Sequence, residues 1–352
     1  MKSPQPNGDG TQSLAVPNLG EGMLRVSILT ELPPLLRELG YDPDPVLAEA
    51  GLDPALLNRP DNTIPFHAVG ALIEHCVTRT GCHHFGLLLG QRGGATTLGL
   101  VGLLARNSPD VGTALRALIK YLHHHDRGAI PTLTVTGGFA VFGYAIYEHE
   151  VPSSDQIYAA SVAIAFQIMR ELCGAEWRPS EVLFPFRKPH DPDVFKRFFQ
   201  VRPRFGAQQA ALVFPASCLE RAVSEADPEV RRAIETLLEG SRGTDLAAGV
   251  RRTIRGMLAS GGVTEETLAR AHAMSRRTLI RRLQDQGTPF RTVLKDVRMD
   301  MACQLLRDTD NPVANIAIGL GYAGASPFTR AFKRWTGLTP GAWRTRHAPR
   351  AT

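Results

Sequence analysis

The chain has 352 residues, of which 43% are hydrophobic and 21% are charged. This composition is typical of a soluble globular protein, and the length is sufficient for two domains with separate cores. The five cysteines are odd in number and include no C-x-x-C pair. They argue against a disulfide framework or a zinc knuckle and indicate a reducing compartment.

The sequence gives no sign of a membrane segment or a secretion signal. No stretch approaches the roughly 18 consecutive apolar residues that a membrane span needs. The first 22 residues are rich in Pro, Gly, Asn and Ser and lack the apolar centre of a signal peptide. We therefore predict a disordered tail over residues 1–22, no membrane partner and a cytoplasmic location.

The elements of the first part of the chain predict an α+β domain over residues 23–240. Helical periodicity marks three long segments and one shorter segment that has Pro192 in its first turn: 66–80, 110–125, 155–173 and 191–200. Asp110 and Asp155 stand where they could cap two of these helices. The run LTVTGGFAVFGYAIYE predicts a β-hairpin that turns at Gly137 and Gly138, and EVLFPF and ALVFPA predict further short strands.

A change in charge accompanies the glycine-rich stretch at 240–245, where we place the domain boundary. Residues 241–352 contain 19 Lys and Arg against 8 Asp and Glu, whereas residues 1–240 contain 21 against 26. The net charges are therefore +11 and −5. A basic module joined to a mildly acidic one indicates that the second module binds a polyanion and the first serves another purpose.

The basic module, residues 241–346, is predicted to be all-helical. A helix at 245–260 precedes a first helix-turn-helix unit over 264–283 and a connecting helix at about 290–307. A second unit follows over 313–335. In the first unit Thr264, with Thr267 in the position of a capping-box acid, can cap one helix, and Ser275 can cap the next.

The second helix of each unit has an apolar side and a basic side. In the first unit Leu279 and Leu283 define the buried side, because they lie about 40° apart at about 100° per residue. The opposite side and its flanks then hold Arg277, Arg281, Thr278, Arg276 and Arg282. In the second unit Phe328, Phe332 and Trp335 point inward, and the outward side holds Ser326, Arg330, Lys333 and Arg334.

Such a side chain pattern can bind double-stranded DNA. Arginine recognises guanine through two hydrogen bonds and hydroxyl groups serve either base type, while flanking arginines suit phosphates. The connecting helix, about 25 Å long, could set two recognition helices about one DNA turn apart. The alternatives are a basic bundle that is merely solvated and an adaptor that binds an acidic protein.

The motifs of the second module, in order, resemble the AraC/XylS family of transcriptional regulators. They are MSRRTLIRRL, the glycine-containing helix at 316–322, FTRAFKRWTG at 328–337 and TPGAWR at 339–344. Looser matches upstream, such as TIPFHAVGALIEHC and RFGAQQAALVFPASCLERA, resemble the arabinose-binding-like N-terminal domain of one branch of that family. The chain departs from the family at Gly324, where a capping Ser is usual, and at Ile280, where polar residues are frequent.

The resemblance implies a transcription regulator that binds promoter DNA and contacts RNA polymerase as an activator; repression of transcription stays open as an alternative. It also implies an N-terminal domain that senses a small-molecule effector and associates with a second copy of the chain. A regulator without an effector, whose first domain only dimerises, stays open as an alternative.

Histidine clusters raise the separate hypothesis of a metal site. His123, His124 and His125 form one run, and His83 and His84 form another. Adjacent helical side chains point about 100° apart, so three in a row cannot share one ion, and a site would need one histidine from each run, as at His83 and His123. The alternative is that these are histidines at a helix end, or that one of them lines an effector pocket. The sequence also lacks the G-x-S-x-G, P-loop and H-E-x-x-H motifs of common enzymes. We predict no metal, no cofactor and no enzymatic activity.

Overall fold

The computed structural model describes residues 19–148, 151–224, 226–240, 246–259, 263–272 and 274–347. Three predicted features lie outside these described residues. They are most of the expected tail (residues 1–18), most of the expected domain boundary (241–245) and the expected helix end (260–262). Residues 19–22, which the sequence placed in the tail, belong to the folded domain. Leu19 is buried, and its carbonyl accepts a hydrogen bond from Arg127.

The first domain contains nine described α-helices around two small antiparallel sheets. The helices are α1 (Leu32–Glu38), α2 (Pro43–Glu49), α3 (Phe66–Thr80), α4 (Phe85–Gln91), α5 (Leu100–Arg106), α6 (Val111–Tyr121), α7 (Ser154–Cys173), α8 (Pro192–Phe199) and α9 (Pro228–Gly240). The strands are β1 (Met23–Arg25), β2 (Thr63–Pro65), β3 (Ala129–Thr136), β4 (Phe139–Ile146), β5 (Glu181–Leu183) and β6 (Ala210–Pro215). The α+β prediction is confirmed.

The larger sheet is built on the hairpin that the sequence predicted. Its strand order is β3-β4-β6-β5, all antiparallel, and β1 pairs with β2 separately. Thr136 lies opposite Phe139, so the turn consists of Gly137 and Gly138. Both have positive φ angles, 58° and 80°, which a two-residue type I′ turn requires and glycine adopts at little cost.

Helix α7 is the longest helix of the first domain and lies against α4. A Cβ atom on Gly86 would stand 2.1 Å from the carbonyl oxygen of Gln156, and one on Gly90 would stand 2.4 Å from that of Ala160. The two glycines therefore allow the backbones of α4 and α7 to touch. This close contact fixes α7 in position beneath the sheet.

Two details at the predicted helix starts and ends differ from expectation. Asp110 caps α6 by accepting a hydrogen bond from the Thr113 amide at 2.7 Å, as predicted. Asp155 does not cap α7, because the helix begins one residue earlier, after Ser153 in the left-handed conformation. The helix predicted to reach residue 125 ends at Tyr121, where the chain tightens into a 3₁₀ turn over Leu122–His124.

The second domain consists of helices in every described element, as predicted. They are α10 (Leu246–Ala259), α11 (Glu265–Ala271), α12 (Arg276–Asp285), α13 (Phe290–Asp308), α14 (Val313–Gly319), α15 (Ala325–Thr336) and α16 (Pro340–His347). Two hydrophobic clusters hold them together. One lies beneath α12 and the other beneath α15, and α13 contributes to both.

The predicted caps and buried faces of this domain are confirmed. The amide of Thr267 donates to the hydroxyl of Thr264 at 3.1 Å, and the amide of Thr278 donates to the hydroxyl of Ser275 at 3.2 Å. Leu279, Leu283, Phe328 and Phe332 are each fully buried. Burial of each such side chain contributes about 1.5–3 kcal/mol, which fixes the rotation of α12 and α15 about their axes. No described helix is both long and apolar enough to cross a membrane.

Candidate nucleic-acid interface and internal cavity

Helix α12 presents its arginines to solvent on the side away from the leucine core. Arg277, Arg281 and Arg282 are exposed, and within the described residues no ion pair or side-chain hydrogen bond engages them. Thr278 is half-buried and its hydroxyl lies 2.9 Å from that of Ser275. The exposed guanidinium groups can therefore bind an external anion or base without first breaking an internal contact.

Arg276 is placed differently from the other arginines of α12. Its Nε atom lies 2.5 Å from Glu265 Oε2 and 3.4 Å from Glu266 Oε1, both on α11. These carboxylates raise the pKa of Arg276, first through the hydrogen bond to Glu265. The residue joins the two helices of the first unit, and a phosphate would have to compete with two acids for it.

Helix α15 repeats the arrangement with an aromatic core. Ser326, Arg330, Lys333 and Arg334 are exposed, opposite the buried phenylalanines. Arg330 Nη1 donates to Ser326 Oγ at 3.0 Å, so these two polar groups form a single hydrogen-bonded pair at the surface. Gly324 precedes the helix and supplies no side-chain cap, in agreement with the departure seen in the sequence.

Ile280, the other departure, packs in part against the core of the first unit. From its sequence position Ile280 could either contact a thymine methyl group or pack, and the structure supports packing.

A basic groove lies beside α15 that the sequence analysis did not identify. It has a volume of about 740 Å³, and its cationic lining comes from α13 and α15: Arg291, Lys295, Arg298 and Arg334. The Arg298 guanidinium stands 4.9 Å from the centre of the Tyr322 ring. The spacing of residues 291, 295 and 298 puts three cations on one face of the helix. This basic face could have been predicted from the sequence. Their proximity to Arg334 depends on the tertiary fold.

The first domain encloses a cavity of about 110 Å³ between the hairpin and the helices. Its walls are mainly aliphatic and aromatic side chains from β1, α3, α4, β4 and α7, among them Leu24, Phe66, Ile73, Leu89, Phe142 and Ile168. The polar side chains that face it include His125, Asp126, Tyr144 and Ser161. This is an apolar site with a small polar end, the usual form of a small-molecule pocket.

Asp126 is the centre of the polar end. Its Oδ1 atom accepts hydrogen bonds from the amides of Gly128 at 2.8 Å and Ala129 at 3.2 Å, and its Oδ2 atom accepts one from the Tyr144 hydroxyl at 2.5 Å. The residue is only 3% exposed. Burial raises the pKa of Asp126 to about 6, and the hydrogen bonds oppose that rise.

His124 and His125, the last two residues of the histidine run before Asp126, are buried. Burial lowers the pKa of His125 to about 3 and that of His124 to about 4, and nearby arginines act in the same direction. Both side chains are therefore neutral at pH 7. No group of three metal-binding side chains converges anywhere in the described ranges. His83 lies beside His190 at 5.9 Å between ring centres.

The two domains touch close to this histidine run. The Arg255 guanidinium of α10 lies 3.8 Å above the Tyr147 ring, and its Nη2 atom is 3.6 Å from Asp300 of α13. Arg252 of α10 lies 3.7 Å from Glu21, which also pairs with Arg127 at 2.5 Å. A continuous set of contacts thus connects Asp126, through the adjacent Arg127, with the second domain.

Comparison with known proteins identifies both halves of the chain. A model described as the arabinose-binding domain of AraC transcription regulator, N-terminal, matches residues 40–223, and a helix-turn-helix domain model matches residues 268–346. The HTH-type transcriptional regulator VirS of Mycobacterium tuberculosis is 28% identical over 92% of this chain and 96% of its own length. The ornithine utilization regulator of Pseudomonas aeruginosa is 27% identical over 93% of this chain and 98% of its own length.

One solved structure also aligns along most of the chain. The transcriptional regulator CdpR from Pseudomonas aeruginosa covers 90% of this chain and 98% of its own at 23% identity, with a TM-score of 0.42. The family matches remove the protein-interaction adaptor as an alternative, because they identify the basic bundle as a DNA-binding domain. The chain belongs to the AraC family of DNA-binding transcription regulators, which are not enzymes.

Proposed function

We propose that this regulator binds promoter DNA through α12 and α15, each placed in the major groove. In this proposal Arg277, Thr278 and Arg281 of α12 contact base edges, and Ser326 and Arg330 of α15 do the same in the next groove segment. Arg276, Arg282, Lys333 and Arg334 contact phosphates. The cationic groove between α13 and α15 extends the phosphate-binding surface.

The observation that carries this proposal is the pairing of two exposed basic helix faces on cores joined by one helix. Helix α13 has 19 residues, so it is about 28 Å long at about 1.5 Å per residue. With its flanking turns it can separate two recognition helices by roughly one DNA turn, about 34 Å. One chain would then occupy two successive major-groove segments.

We further propose that residues 23–240, extended to Leu19, form an effector-sensing domain, and residues 241–346 form the DNA-binding domain. The effector occupies the cavity beside Asp126, and its binding shifts the balance between arrangements of the two domains. Transcription activation through RNA polymerase, a homodimer and a cytoplasmic location complete the proposal. The family assignment supports them.

Selection of DNA from a random duplex library with the full chain tests the DNA half of the proposal. We expect an enriched motif with two half-sites about 10–11 base pairs apart, and affinity that falls steeply between 50 and 200 mM salt. A control chain with Arg277 and Arg281 both changed to Ala should lose the half-site that α12 reads and keep the other. Enrichment of one undivided half-site, or none, would contradict the two-groove arrangement.

The alternative function, a regulator that works without an effector, must be distinguished from the proposed one. Its first domain would dimerise, and no small molecule would change either its thermal stability or its DNA affinity. An effector present at 100 times its dissociation constant should stabilise the chain by about 2.7 kcal/mol, which a thermal-shift measurement detects.

A further inference from the structure

We propose that the cavity of the first domain takes a compact, largely apolar molecule that carries one hydrogen-bond-donating group, an ammonium or a hydroxyl, and that this group binds Asp126. Sugars and carboxylates are excluded by the same site. The inference rests on the proposed effector role of the cavity and specifies what fills it.

The walls of the cavity exclude a sugar. A sugar has a hydroxyl group on nearly every carbon, and each one costs free energy if it is buried without a partner. Most of the side chains around this cavity are aliphatic or aromatic. Thr97 also lines it, but its one hydroxyl, which accepts a hydrogen bond from the Gly94 amide at 3.0 Å, cannot pair with the several hydroxyl groups of a sugar.

The size of the cavity favours a small ligand. Its volume is about 110 Å³, which is of the same order as the roughly 150 Å³ apolar cavity that binds benzene in another protein. A single ring or a short branched chain fits this space.

The polar end favours a donor over an acceptor. An ionised carboxylate offers about four acceptor sites, and the Gly128 amide, the Ala129 amide and the Tyr144 hydroxyl occupy three of those on Asp126. One site remains. Because the Tyr144 hydroxyl already donates to Asp126, it has no proton left for an anionic ligand.

The charge of Asp126 is not neutralised by an ion pair within the described residues. Arg25 donates to the His124 carbonyl at 2.8 Å and pairs with Asp61, and Arg127 pairs with Glu21. Glu148 adds further negative charge near the site. A buried carboxylate without a cation is costly, so an ammonium ligand gains from supplying one, whereas a carboxylate ligand would be repelled.

Thermal-shift and calorimetric titrations of the full chain with four probes test the inference. The probes are benzylamine, benzyl alcohol, benzoate and arabinose. We expect the first two to raise Tm, with benzylamine the stronger, and the last two to leave Tm unchanged. Stabilisation by benzoate or arabinose equal to that by benzylamine would overturn the proposal, as would the absence of binding by both donors at millimolar concentration.

Three variants locate the binding. Asp126→Asn should weaken the binding of benzylamine about 10- to 100-fold, the range for a lost charged hydrogen bond. It should weaken the binding of benzyl alcohol less. Tyr144→Phe frees an acceptor site on Asp126 while it keeps the ring, so it should bind both benzylamine and benzyl alcohol at least as tightly as the unchanged chain. This variant tests the role of Asp126 if Asp126→Asn does not fold. Ala165→Leu, which fills the cavity from α7, should abolish binding of both. Unchanged benzylamine affinity in Ala165→Leu would place the ligand elsewhere and refute the inference.

These measurements use no DNA, so their failure can be distinguished from failure of the proposed regulator. A chain that selects a two-part DNA motif but binds neither donor keeps its DNA-binding assignment and loses this one. A chain that binds benzylamine through Asp126 but selects no DNA motif keeps the ligand assignment and loses the DNA-binding one.

Discussion

The substitution Arg281→Ala gives the sharpest test of how α12 meets DNA. Arg281 is exposed on the side of the helix opposite Leu279 and Leu283, and no ion pair within the described residues engages it. Its removal should therefore change the free energy of unfolding by less than about 0.5 kcal/mol. Any effect on DNA affinity then reports the contact with DNA itself.

We expect the change to cost about 1–3 kcal/mol on the preferred operator, which is about 5- to 150-fold in Kd, if Arg281 contacts a guanine. The loss should be concentrated at one base pair, so that sequences already changed at that position bind the variant and the unchanged chain almost equally. A binding titration against the selected motif and its single-base variants measures this.

Arg282→Ala is the matched control, since Arg282 is a neighbouring exposed arginine on the flank of the same helix. If Arg282 contacts a phosphate, its loss should weaken the binding of all DNA sequences alike. It should also reduce the slope of log affinity against log salt concentration by about 0.9. If Arg281→Ala gives this uniform pattern instead, its assignment to a base is wrong. If neither variant changes DNA affinity, α12 does not face DNA.

Three further predictions concern stability. Phe328→Ala should lower the free energy of unfolding by about 3–5 kcal/mol in a urea titration, because it empties the core of the second unit. Ser275→Ala should cost about 1 kcal/mol by removing the cap of α12, whereas Ser326→Ala, in the first turn of α15, should cost far less. Burial holds the pKa of His125 at about 3, below the roughly 6.5 of the unfolded chain, so its neutral form favours folding above pH 6.5 and that stability is lost as the pH falls. His125→Gln should therefore show a shallower loss of Tm between pH 6.5 and 4.5, although Asp126, whose pKa is raised, acts in the opposite direction in both chains.

The faces of α12 and α15 could be predicted because helix geometry is local. Once Leu279 and Leu283 are assigned to the core, the rotation of about 100° per residue fixes where each arginine points. The same rule does not extend to Arg276, whose partner Glu265 lies on the preceding helix. Nor does it predict the basic groove, because Arg334 joins the cations of α13 only after the second unit has folded.

The cavity could not be predicted because its parts come from separate elements. Asp126 follows a 3₁₀ turn, Tyr144 lies on β4 and Ser161 lies on α7. The sequence marked the run of histidines before Asp126 as unusual and raised a metal site to explain it. The structure agrees with the alternative reading of the run, since burial keeps the rings of His124 and His125 neutral and His125 lines the cavity beside Asp126.

Two of the contacts between the domains together contribute a free energy typical of allosteric coupling. Arg255 stacks on Tyr147 of the sensor domain, an interaction of about 0.5–2 kcal/mol. The pair between Arg252 and Glu21 adds about 0–1 kcal/mol. Together these two contacts contribute about 0.5–3 kcal/mol, which overlaps the 1–3 kcal/mol typical of coupling between two sites. Under the proposed function, an effector that disturbed both contacts would change DNA affinity by roughly 2- to 150-fold.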